Sequence, residues 1–547
     1  MTDLELIRES VAKHAAKILD ANDRIWDYAE LAFHEHKSAE LLCRLLEEEG
    51  FTVQRGLAEI PTCFTGTYKK GTGKPVMGFL GEFDALSSLS QQAALPEKSP
   101  VTAGAPGHGC GHCALGTGSL AAAFALKDYL DATGEDGTVI YFGCPAEEGA
   151  GSKQFMARAG LFDDVDFVYT WHPSTINGVE SVQSNAIMGA NFRFKGRTSH
   201  AAASPHLGRS ALDAVELMSV GCNYLREHVI PEARIHYAYI DAGGTAPNVV
   251  QDHATVRYEV RTPFVKDLRE LFDRVVDVAK GAALMTGTTL DVELAMAFTE
   301  YVPNKALGAI ASEAMQEVGA PKWDEADFQL ARQFLLSYDP ETRAAIEAEI
   351  RRTYGDRAEA VLQRPLSTDV IPFDPSAIRL QAGSTDVGDV GYAAPTLNLL
   401  VATACVGNVG HSWQMTAQAC SPLAHKGLLT AAEAMALSAV RTKHRPDAIA
   451  AAKAGKASEE LPHVFTGSVE HAIAHIEESI QGKVDDRFLR WYAVKLFERD
   501  DKVQAELNLN KELLDHLNAH IADCEKEMDD DAESIITNQR YAYINGV

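Results

Sequence analysis

Helical and strand patterns alternate along the first 185 residues of the chain, and this alternation limits the folds it can adopt. Residues 6–19 and 38–49 place apolar side chains at the i, i+3 and i+4 positions of amphipathic helices. Short apolar runs bounded by glycine, proline or charged residues occur at 75–83, 138–144 and 166–170. Since strands separated by helices form parallel sheets, the sequence predicts an α/β domain with a central, mostly parallel sheet.

The pattern changes between residues 183 and 302, where a strand, a helix, two strands, a helix and a strand follow one another. This order is typical of a compact two-layer α+β domain of the ferredoxin-like kind. The α/β pattern resumes at 303–445, apart from a polar, helical insertion at 320–365. We therefore expect one α/β domain built from residues 1–182 and 303–445, with the α+β domain inserted into it.

Residues 446–547 differ in composition and are predicted to form a helical C-terminal extension. A heptad spacing relates four of its apolar residues, Leu507, Leu514, Ile521 and Met528. Such a spacing is typical of a coiled-coil seam, although Asn510 interrupts it. Two interpretations stay open, namely a helix packed on its own domain or a hairpin that joins subunits.

Composition excludes several classes of partner. The 547 residues include 77 acidic and 50 basic side chains, which gives a formal charge of −27. Such a surface repels phosphate backbones and anionic lipids, so we expect neither nucleic acid nor a membrane as a partner. The N-terminal segment is polar and helix-patterned, unlike a signal peptide. We therefore expect a cytoplasmic protein whose nine cysteines are mostly thiols.

Acidic residues and a histidine follow three of the predicted strands. Asp84 comes after the run at 75–83, Glu147 and Glu148 come after 138–144, and His172 comes after 166–170. In parallel α/β sheets, ligands bind just beyond the carboxyl ends of the strands. The sequence therefore predicts that these side chains meet at one edge of the sheet.

Two glycine-rich segments add further metal-ligand side chains. Cys110 and His112 lie in a turn before a predicted helix, and His411 lies in a loop after a predicted strand. We therefore expect five residues of metal-ligand type to come together, Cys110, His112, one of Glu147 and Glu148, His172 and His411. One ion accepts about four to six ligands, so this set plus an adjacent carboxylate indicates two divalent ions about 3.5–4 Å apart. One of the paired glutamates would bind metal while the other acts as general base.

Eight motifs resemble the M20 metallopeptidase/amidohydrolase family, in particular its branch with a cysteine ligand and the p-aminobenzoyl-glutamate hydrolase group within it. They are GEFDAL (81–86), GHGCGH (107–112), GCPAEEG (143–149), WHP (171–173), SHAAASPHLGRSALDAVELM (199–218), GGTAPNVV (243–250), STDVGDV (384–390) and GHSWQ (410–414). They cover roughly residues 20–445 in family order. The resemblance implies a two-metal catalytic domain interrupted by a lid domain that dimerises.

The resemblance also implies roles for individual residues. Matched motif by motif, the metal ligands are Cys110, His112, Glu148, His172 and His411, with the Cys110 thiolate as a bridge. Glu147 resembles the general base, and Asp84 would orient or polarise a metal ligand. The soft thiolate favours Zn²⁺, whereas the carboxylate and the resembled group leave Mn²⁺ open.

Three further residues resemble substrate-side groups of the family. His200 matches the histidine that reaches a neighbouring protomer's site and supports the oxyanion. Asn248 resembles an amide that contacts the substrate or the oxyanion, and Arg261 is matched to a group that binds a substrate carboxylate. All three lie in the inserted domain, which the resemblance makes the dimer-forming domain.

The sequence therefore predicts a metal-dependent amidohydrolase with two Mn²⁺ or Zn²⁺ ions per protomer. Its small-molecule substrate would be an N-acyl amino acid or dipeptide-like amide, for example p-aminobenzoyl-glutamate. One alternative keeps the metal site but deaminates an aromatic amine. Another is a hydrolase chain that depends on a second, different chain for activity. We expect a homodimer or higher oligomer through the lid, with the C-terminal helices as a further contact.

Overall fold

The computed structural model describes residues 1–457, 465, 467–484, 488–507, 509–528 and 530–546. Its contacts divide the chain into two compact units, Met1–Glu459 and Glu460–Val547. The strands, in chain order, are β1 (Thr52–Arg55), β2 (Phe64–Lys70), β3 (Val76–Glu82), β4 (Gly137–Cys144), β5 (Phe167–Ser174), β6 (Asn177–Val179), β7 (Val182–Gln183), β8 (Ala186–Lys195), β9 (Arg234–Asp241), β10 (His253–Thr262), β11 (Thr289–Phe298), β12 (Val370–Ile371), β13 (Arg379–Leu380) and β14 (Thr396–Ala402).

Helices precede, separate and follow these strands. In the first unit they are α1 (Asp3–Tyr28), α2 (His36–Glu48), α3 (His112–Thr133), α4 (Lys153–Arg158), α5 (Ala211–Leu225), α6 (Val265–Thr286), α7 (Lys305–Val318), α8 (Glu325–Leu336), α9 (Pro340–Tyr354), α10 (Ala358–Gln363), α11 (Val387–Ala393), α12 (Trp413–Ala419), α13 (Pro422–Lys443) and α14 (Pro446–Ala454). In the second unit they are α15 (Gly467–Ile480), α16 (Leu489–Phe497), α17 (Asp501–Leu507), α18 (Lys511–Met528) and α19 (Ala532–Gly546).

An eight-stranded sheet forms the centre of the first unit, in the order β1-β2-β4-β3-β5-β14-β6-β12. Its four central strands, β4, β3, β5 and β14, are parallel to one another. Their carboxyl ends therefore share one edge of the sheet, and the predicted α/β fold is confirmed. The antiparallel edge formed by β1 and β2 was not predicted from the sequence.

The two faces of this sheet are buried under different helices. Phe79 and Tyr141 belong to a large apolar core with α1, α3 and α13, whereas Leu80 and Phe142 belong to a second core with α4 and α11. Neighbouring residues of a strand point to opposite faces, so β3, β4 and β5 each contribute to both cores. Burial on both sides explains why these strands read as nearly continuous apolar runs.

A second, four-stranded antiparallel sheet has the order β11-β8-β10-β9. Helices α5 and α6 pack on one face of it, over buried side chains such as Phe192, Val256 and Tyr258. The opposite face is polar, and there Asn191 and Arg193 both contact Glu293.

Residues 320–365 form α8, α9 and α10, as the sequence predicts for a helical insertion. These helices pack against the segment that follows β14, because Phe334 shares a core with Cys405 and Ile350 shares one with Val406. The insertion therefore supports the loop that contains His411.

The second unit has its own apolar core, to which Leu517, Ile521 and Cys524 of α18 contribute. Helix α17 ends at Leu507, and the side chain of Asn510 accepts a hydrogen bond from the N–H of Leu513 at the start of α18. The heptad residues therefore do not lie on one helix. This packing favours the interpretation of a helix buried on its own domain. None of the helices that the structure describes is long and apolar enough to cross a bilayer.

Candidate metal centre and active site

Cys110 and His112 reach the carboxyl edge of the sheet from the turn that begins α3. Gly111 between them adopts a left-handed conformation with φ of 81°. A Cβ atom at this position would lie 2.8 Å from the Met415 side chain, so glycine is the residue that fits. The turn brings the thiol and the imidazole together beside the ends of β3, β4 and β5.

The five ligand-type residues predicted from the sequence converge at this edge. One group of neighbouring donor atoms belongs to Cys110, His112 and His172, and a second belongs to Cys110, Glu148 and His411. Within each group the donor atoms lie within 4.8 Å of one another. Because Cys110 belongs to both groups, it would be the ligand that two ions share if each group held one.

Hydrogen bonds fix which imidazole nitrogen faces the site. His112 Nδ1 donates to Oδ1 of Asp84 at 2.9 Å, and His172 Nδ1 donates to the carbonyl oxygen of Pro173 at 2.8 Å. Each ring therefore keeps its Nε2 atom for an ion. The second oxygen of Asp84 accepts a hydrogen bond from the N–H of Glu148 at 2.9 Å, so one carboxylate positions two ligand-type residues.

Two buried polar atoms show that these residues fit a metal centre. His112 Nε2 and Glu148 Oε1 have no hydrogen-bond partner among the described residues. Glu148 Oε1 lies 3.3 Å from His411 Nε2 and 4.0 Å from His112 Nε2. Since a buried polar atom without a partner is costly, cations between these atoms would complete their coordination.

The electrostatics of the site favour the ligand form of the thiol. Burial raises the pKa of Cys110, but the positive charges of His172 and His112 outweigh that effect and lower it to about 6. Burial acts the same way on Glu148, yet contact with His411 and the charge of His112 bring its pKa down to about 2. Thiolate and carboxylate are the forms that bind divalent ions.

Glu147 lies beside the proposed ligands, with Oε2 at 4.0 Å from His112 Nε2. Burial and the nearby charge of Glu82 raise its pKa well above the usual value. Ala146, which precedes it, has a positive φ of 64°, and its N–H donates to Glu35 at 2.9 Å. Glu35, the residue that precedes α2, therefore holds the backbone that carries Glu147 and Glu148.

A cleft of about 450 Å³ opens over this centre. Glu147, Glu148 and His172 line its floor, and Gln381, Ser384 and Asn398 are among the polar residues that line the rest of it. No lysine or arginine is among the described residues that line the cleft.

The three residues of the inserted domain lie outside this cleft. His200 and Asn248 are exposed and do not line it. Nδ1 of His200 accepts hydrogen bonds from the N–H groups of Ala202 and Ala203. Arg261 does not line the cleft, but it donates a hydrogen bond at 3.1 Å to Oγ of Ser384, which does. Within one chain, the structure does not bring His200 and Asn248 to the proposed ligands.

Three charged residues of the site were not predicted from the sequence. Lys153 is completely buried and pairs with Asp386 and with Glu82, whose Oε1 lies 2.7 Å from its ammonium. The other oxygen of Glu82 lies 3.3 Å from His112 Nε2. Glu82 and Asp386 occur in the GEFDAL and STDVGDV motifs, which are the signal that could have found them, whereas nothing in the sequence distinguishes Lys153 from a surface lysine.

Comparison with known proteins decides the family. Residues 78–373 match Peptidase family M20/M25/M40. A chain of the p-aminobenzoyl-glutamate hydrolase of Escherichia coli (strain K12) is 42% identical over 438 residues, which cover 79% of this chain and 90% of that protein. The chain belongs to the M20 peptidase family. It is a metal-dependent amidohydrolase, as the motifs predicted.

Other comparisons agree with this assignment to the M20 enzymes. The Xaa-Arg dipeptidase of Mus musculus is 32% identical over 58% of this chain and 73% of its own length. A dinuclear metal binding peptidase of the M20 family from Bacillus subtilis has a TM-score of 0.51 at 17% identity, over 79% of this chain and 99% of that one, and shares the fold.

The C-terminal extension matches a different family. Residues 465–547 are similar to the FeoB cytosolic helical domain. Residues 460–547 thus form a separate helical unit, whereas α14 at the start of the predicted extension belongs to the first unit.

Proposed function

We propose that this M20 enzyme hydrolyses the amide bond of an N-acyl amino acid with an aromatic acyl group, such as p-aminobenzoyl-glutamate. The observation on which this rests is that two groups of metal-ligand atoms share Cys110 directly beside Glu147. The 42% identity to a chain of a p-aminobenzoyl-glutamate hydrolase supports the substrate class.

The residues at the sheet edge would hold two divalent ions. The proposed ligands are Cys110, His112, Glu148, His172 and His411. Thiolate and imidazole favour Zn²⁺, and the carboxylates are compatible with Mn²⁺. When bound, such ions polarise the amide carbonyl and lower the pKa of a water molecule.

Glu147 is the proposed general base and acid. It lines the cleft floor, where its carboxylate would take a proton from the attacking water as the new C–O bond forms. The same group would then donate that proton to the amide nitrogen as the C–N bond breaks, which releases a carboxylic acid and an amine. Asp84 would keep His112 and the Glu148 backbone in place during both steps.

Recognition of a carboxylate would involve the inserted domain. Because the described cleft residues include no lysine or arginine, a substrate carboxylate would need a cation from outside. Arg261 contacts the cleft residue Ser384 and would supply this charge. Asn248 and His200 would act from a second copy of the chain, where His200 would support the oxyanion.

This division of labour also defines the proposed domains. Residues 1–182 and 303–445 would be the catalytic domain, 183–302 the lid and dimerisation domain, and 446–547 the C-terminal extension. The exposed position of His200 supports a homodimer in which each lid completes the partner's site.

The direct test is release of glutamate from p-aminobenzoyl-glutamate by the purified chain, loaded with Mn²⁺ or Zn²⁺. Glu147→Gln should lower kcat by at least about 10²-fold, because a general base contributes roughly 10²–10⁴-fold. Its bound metal should stay close to that of the wild type, and Glu97→Gln, at an exposed glutamate, serves as the matched control.

Other outcomes would point elsewhere. Ammonia in place of glutamate would establish deamination. Activity that appears only on addition of a second protein would establish a chain that depends on a partner. Loss of metal together with activity in Glu147→Gln would make Glu147 a ligand instead of the base.

A further inference from the structure

Four histidines gather on the surface of the C-terminal unit. His471 and His475 lie one turn apart on α15, and His516 and His520 lie one turn apart on α18. The i, i+4 spacing places both members of each pair on the same side of their helix. His471 and His516 are exposed, and His475 and His520 are half-buried.

The four rings form one continuous group across the two helices. The ring centroids of His471 and His475 are 4.6 Å apart, those of His475 and His520 are 5.0 Å apart, and those of His516 and His520 are 4.8 Å apart. The His475 and His520 rings, which join the helices, are stacked with an interplanar angle of 13°. We call these four residues the histidine cluster.

We propose that the histidine cluster binds a divalent transition metal ion, separately from the catalytic centre. Imidazole nitrogens bind Zn²⁺ at about 2.0–2.1 Å in tetrahedral geometry, which puts two rings on one ion with centroids on the order of 5 Å apart. The centroid spacings within the cluster are close to that separation, and the near-parallel His475 and His520 rings would turn about their side-chain bonds to aim their in-plane nitrogens at one ion. The exposed rings of His471 and His516 can turn about their side-chain bonds to present a nitrogen to the ion.

The helices beneath the cluster form a fixed support. On their inner sides, Ile473 and Ile476 of α15 and Leu517 and Ile521 of α18 are buried in one core. The histidines therefore project from helices whose relative position is already determined by packing. A metal site on such a support loses little entropy when it binds its ion.

A carboxylate beside the cluster fits the same interpretation. Glu478 Oε2 lies 3.7 Å from His475 Nδ1. Histidine ligands usually donate their second nitrogen to a carboxylate or carbonyl, which orients the ring. A small movement of the Glu478 side chain would bring it within hydrogen-bond distance of Nδ1 and leave His475 Nε2 for the ion.

The donor set determines which ions the site would accept. Neutral imidazoles suit Zn²⁺, Co²⁺, Ni²⁺ and Cu²⁺, whereas Mg²⁺ and Ca²⁺ require oxygen ligands. The ion would link α15 to α18 and stabilise the C-terminal unit in proportion to its occupancy.

The cluster differs from another group of ligand-type residues in the first unit. Asp23, Cys420 and His425 also lie close together. There Asp23 Oδ1 accepts hydrogen bonds from His425 Nε2 at 2.7 Å and from Cys420 Sγ at 3.3 Å. Contacts within that trio account for its geometry without an ion, so it provides a suitable control.

The experiment measures Zn²⁺ bound per full-length chain by equilibrium dialysis and elemental analysis, after removal of metal with a chelator. The double variant His475→Ala/His520→Ala should bind one equivalent fewer than the wild type, whatever the catalytic centre holds. His425→Ala should bind as many ions as the wild type. Mg²⁺ should not compete for the ion that the double variant loses.

A second variant guards against a folding defect. His471→Ala/His516→Ala changes only exposed side chains and should weaken the same Zn²⁺ site at least about tenfold, with the far-ultraviolet circular dichroism unchanged. Equal Zn²⁺ binding by the wild type and both double variants would overturn the proposal. The proposal would also be wrong if His425→Ala lost one Zn²⁺ ion while both histidine-cluster variants kept it.

Discussion

The ammonium of Lys153 lies 2.7 Å from Oε1 of Glu82, and both side chains are almost completely withdrawn from solvent. Asp386 contacts the same ammonium, and the other oxygen of Glu82 lies 3.3 Å from His112 Nε2. A buried chain of charges thus connects α4 and the residues before α11 to a proposed metal ligand. Lys153 balances two carboxylates that would otherwise add negative charge to the site.

Replacing Lys153 by methionine should destabilise the protein by about 3–5 kcal/mol, because it leaves buried carboxylates without their counter-ion. Adding Asp386→Asn should recover part of this loss, since it removes one of those stranded charges. Urea unfolding of the metal-free chain measures both effects. Lys280→Met removes an exposed ion pair with Asp277 and should cost less than about 1 kcal/mol. If the changes in unfolding free energy of Lys153→Met and Asp386→Asn simply add in the double variant, the two charges are not coupled and the prediction is wrong.

Tyr338 connects the helical insertion to the loop of His411. Its hydroxyl accepts a hydrogen bond from the N–H of Val409 at 2.9 Å and donates one to Asn408 at 3.1 Å. Tyr338→Phe should lower the free energy of unfolding by about 0.5–1.5 kcal/mol, because half-buried Asn408 and exposed Val409 each lose a hydrogen bond. It should also speed metal loss to a chelator, since His411 lies two residues beyond Val409.

Tyr354→Phe, in the same insertion but outside this pair of contacts, is the matched control for Tyr338. Metal release at the wild-type rate from Tyr338→Phe would mean that His411 is positioned independently of the insertion.

Asp128 joins α3 to α1 by accepting hydrogen bonds from Ser10, Lys13 and His14. Burial raises its pKa, but these bonds outweigh that effect and hold the pKa well below the usual value. The folded state therefore binds fewer protons there than the unfolded state, so the stabilisation is present at neutral pH and is lost as pH falls below about 4. Asp128→Asn should be about 1–3 kcal/mol less stable than the wild type at pH 7.

The same reasoning predicts that the difference in stability between the wild type and Asp128→Asn becomes smaller as the pH is lowered. Unfolding midpoints measured from pH 7 to pH 3 test it, with Asp20→Asn on the exposed side of α1 as a control that should show no such narrowing. A gap between wild type and Asp128→Asn that widens towards low pH would show that the sign is wrong.

A trans role for His200 gives a quantitative mixing result. His200→Ala should lower kcat and leave metal content unchanged, because the residue lies outside the cleft of its own chain. An equal mixture of His200→Ala and Glu147→Gln chains, after exchange, would have one intact site in each mixed dimer. With random pairing half of the dimers are mixed, and each mixed dimer has one of its two sites intact. The mixture should therefore recover about a quarter of wild-type activity. If His200 acted within its own chain, the exchanged mixture would show no recovery.

Much of the sheet and the arrangement of the site followed from the sequence, for a physical reason. Strands buried on both faces read as apolar runs, and polar residues at their ends are conspicuous. Asp84, Glu148 and His172 were therefore expected at one edge, and the structure brings them there. The helical insertion predicted at 320–365 includes α9, whose start is defined by a proline and an aspartate cap.

Other features depend on contacts that sequence patterns do not reveal. Strands β1 and β2 were missed because they form the edge of the sheet and combine threonine, glutamine and lysine with few apolar residues. Lys153 resembles any surface lysine until Glu82 and Asp386, distant in the sequence, surround it. His200 and Asn248 were assigned through motifs, which do not show how far the inserted domain holds them from the metal-ligand residues of the same chain.

The order of the proposed ligands along the chain has a consequence for biosynthesis. Cys110, His112, Glu148 and His172 leave the ribosome well before His411, and β14, which lies between β5 and β6, also comes late. A nascent chain that ends before residue 396 therefore lacks both a central strand and the last ligand. During that interval the Cys110 thiol lacks His411, one of the neighbours that the folded chain gives it, until translation reaches the final third of the chain.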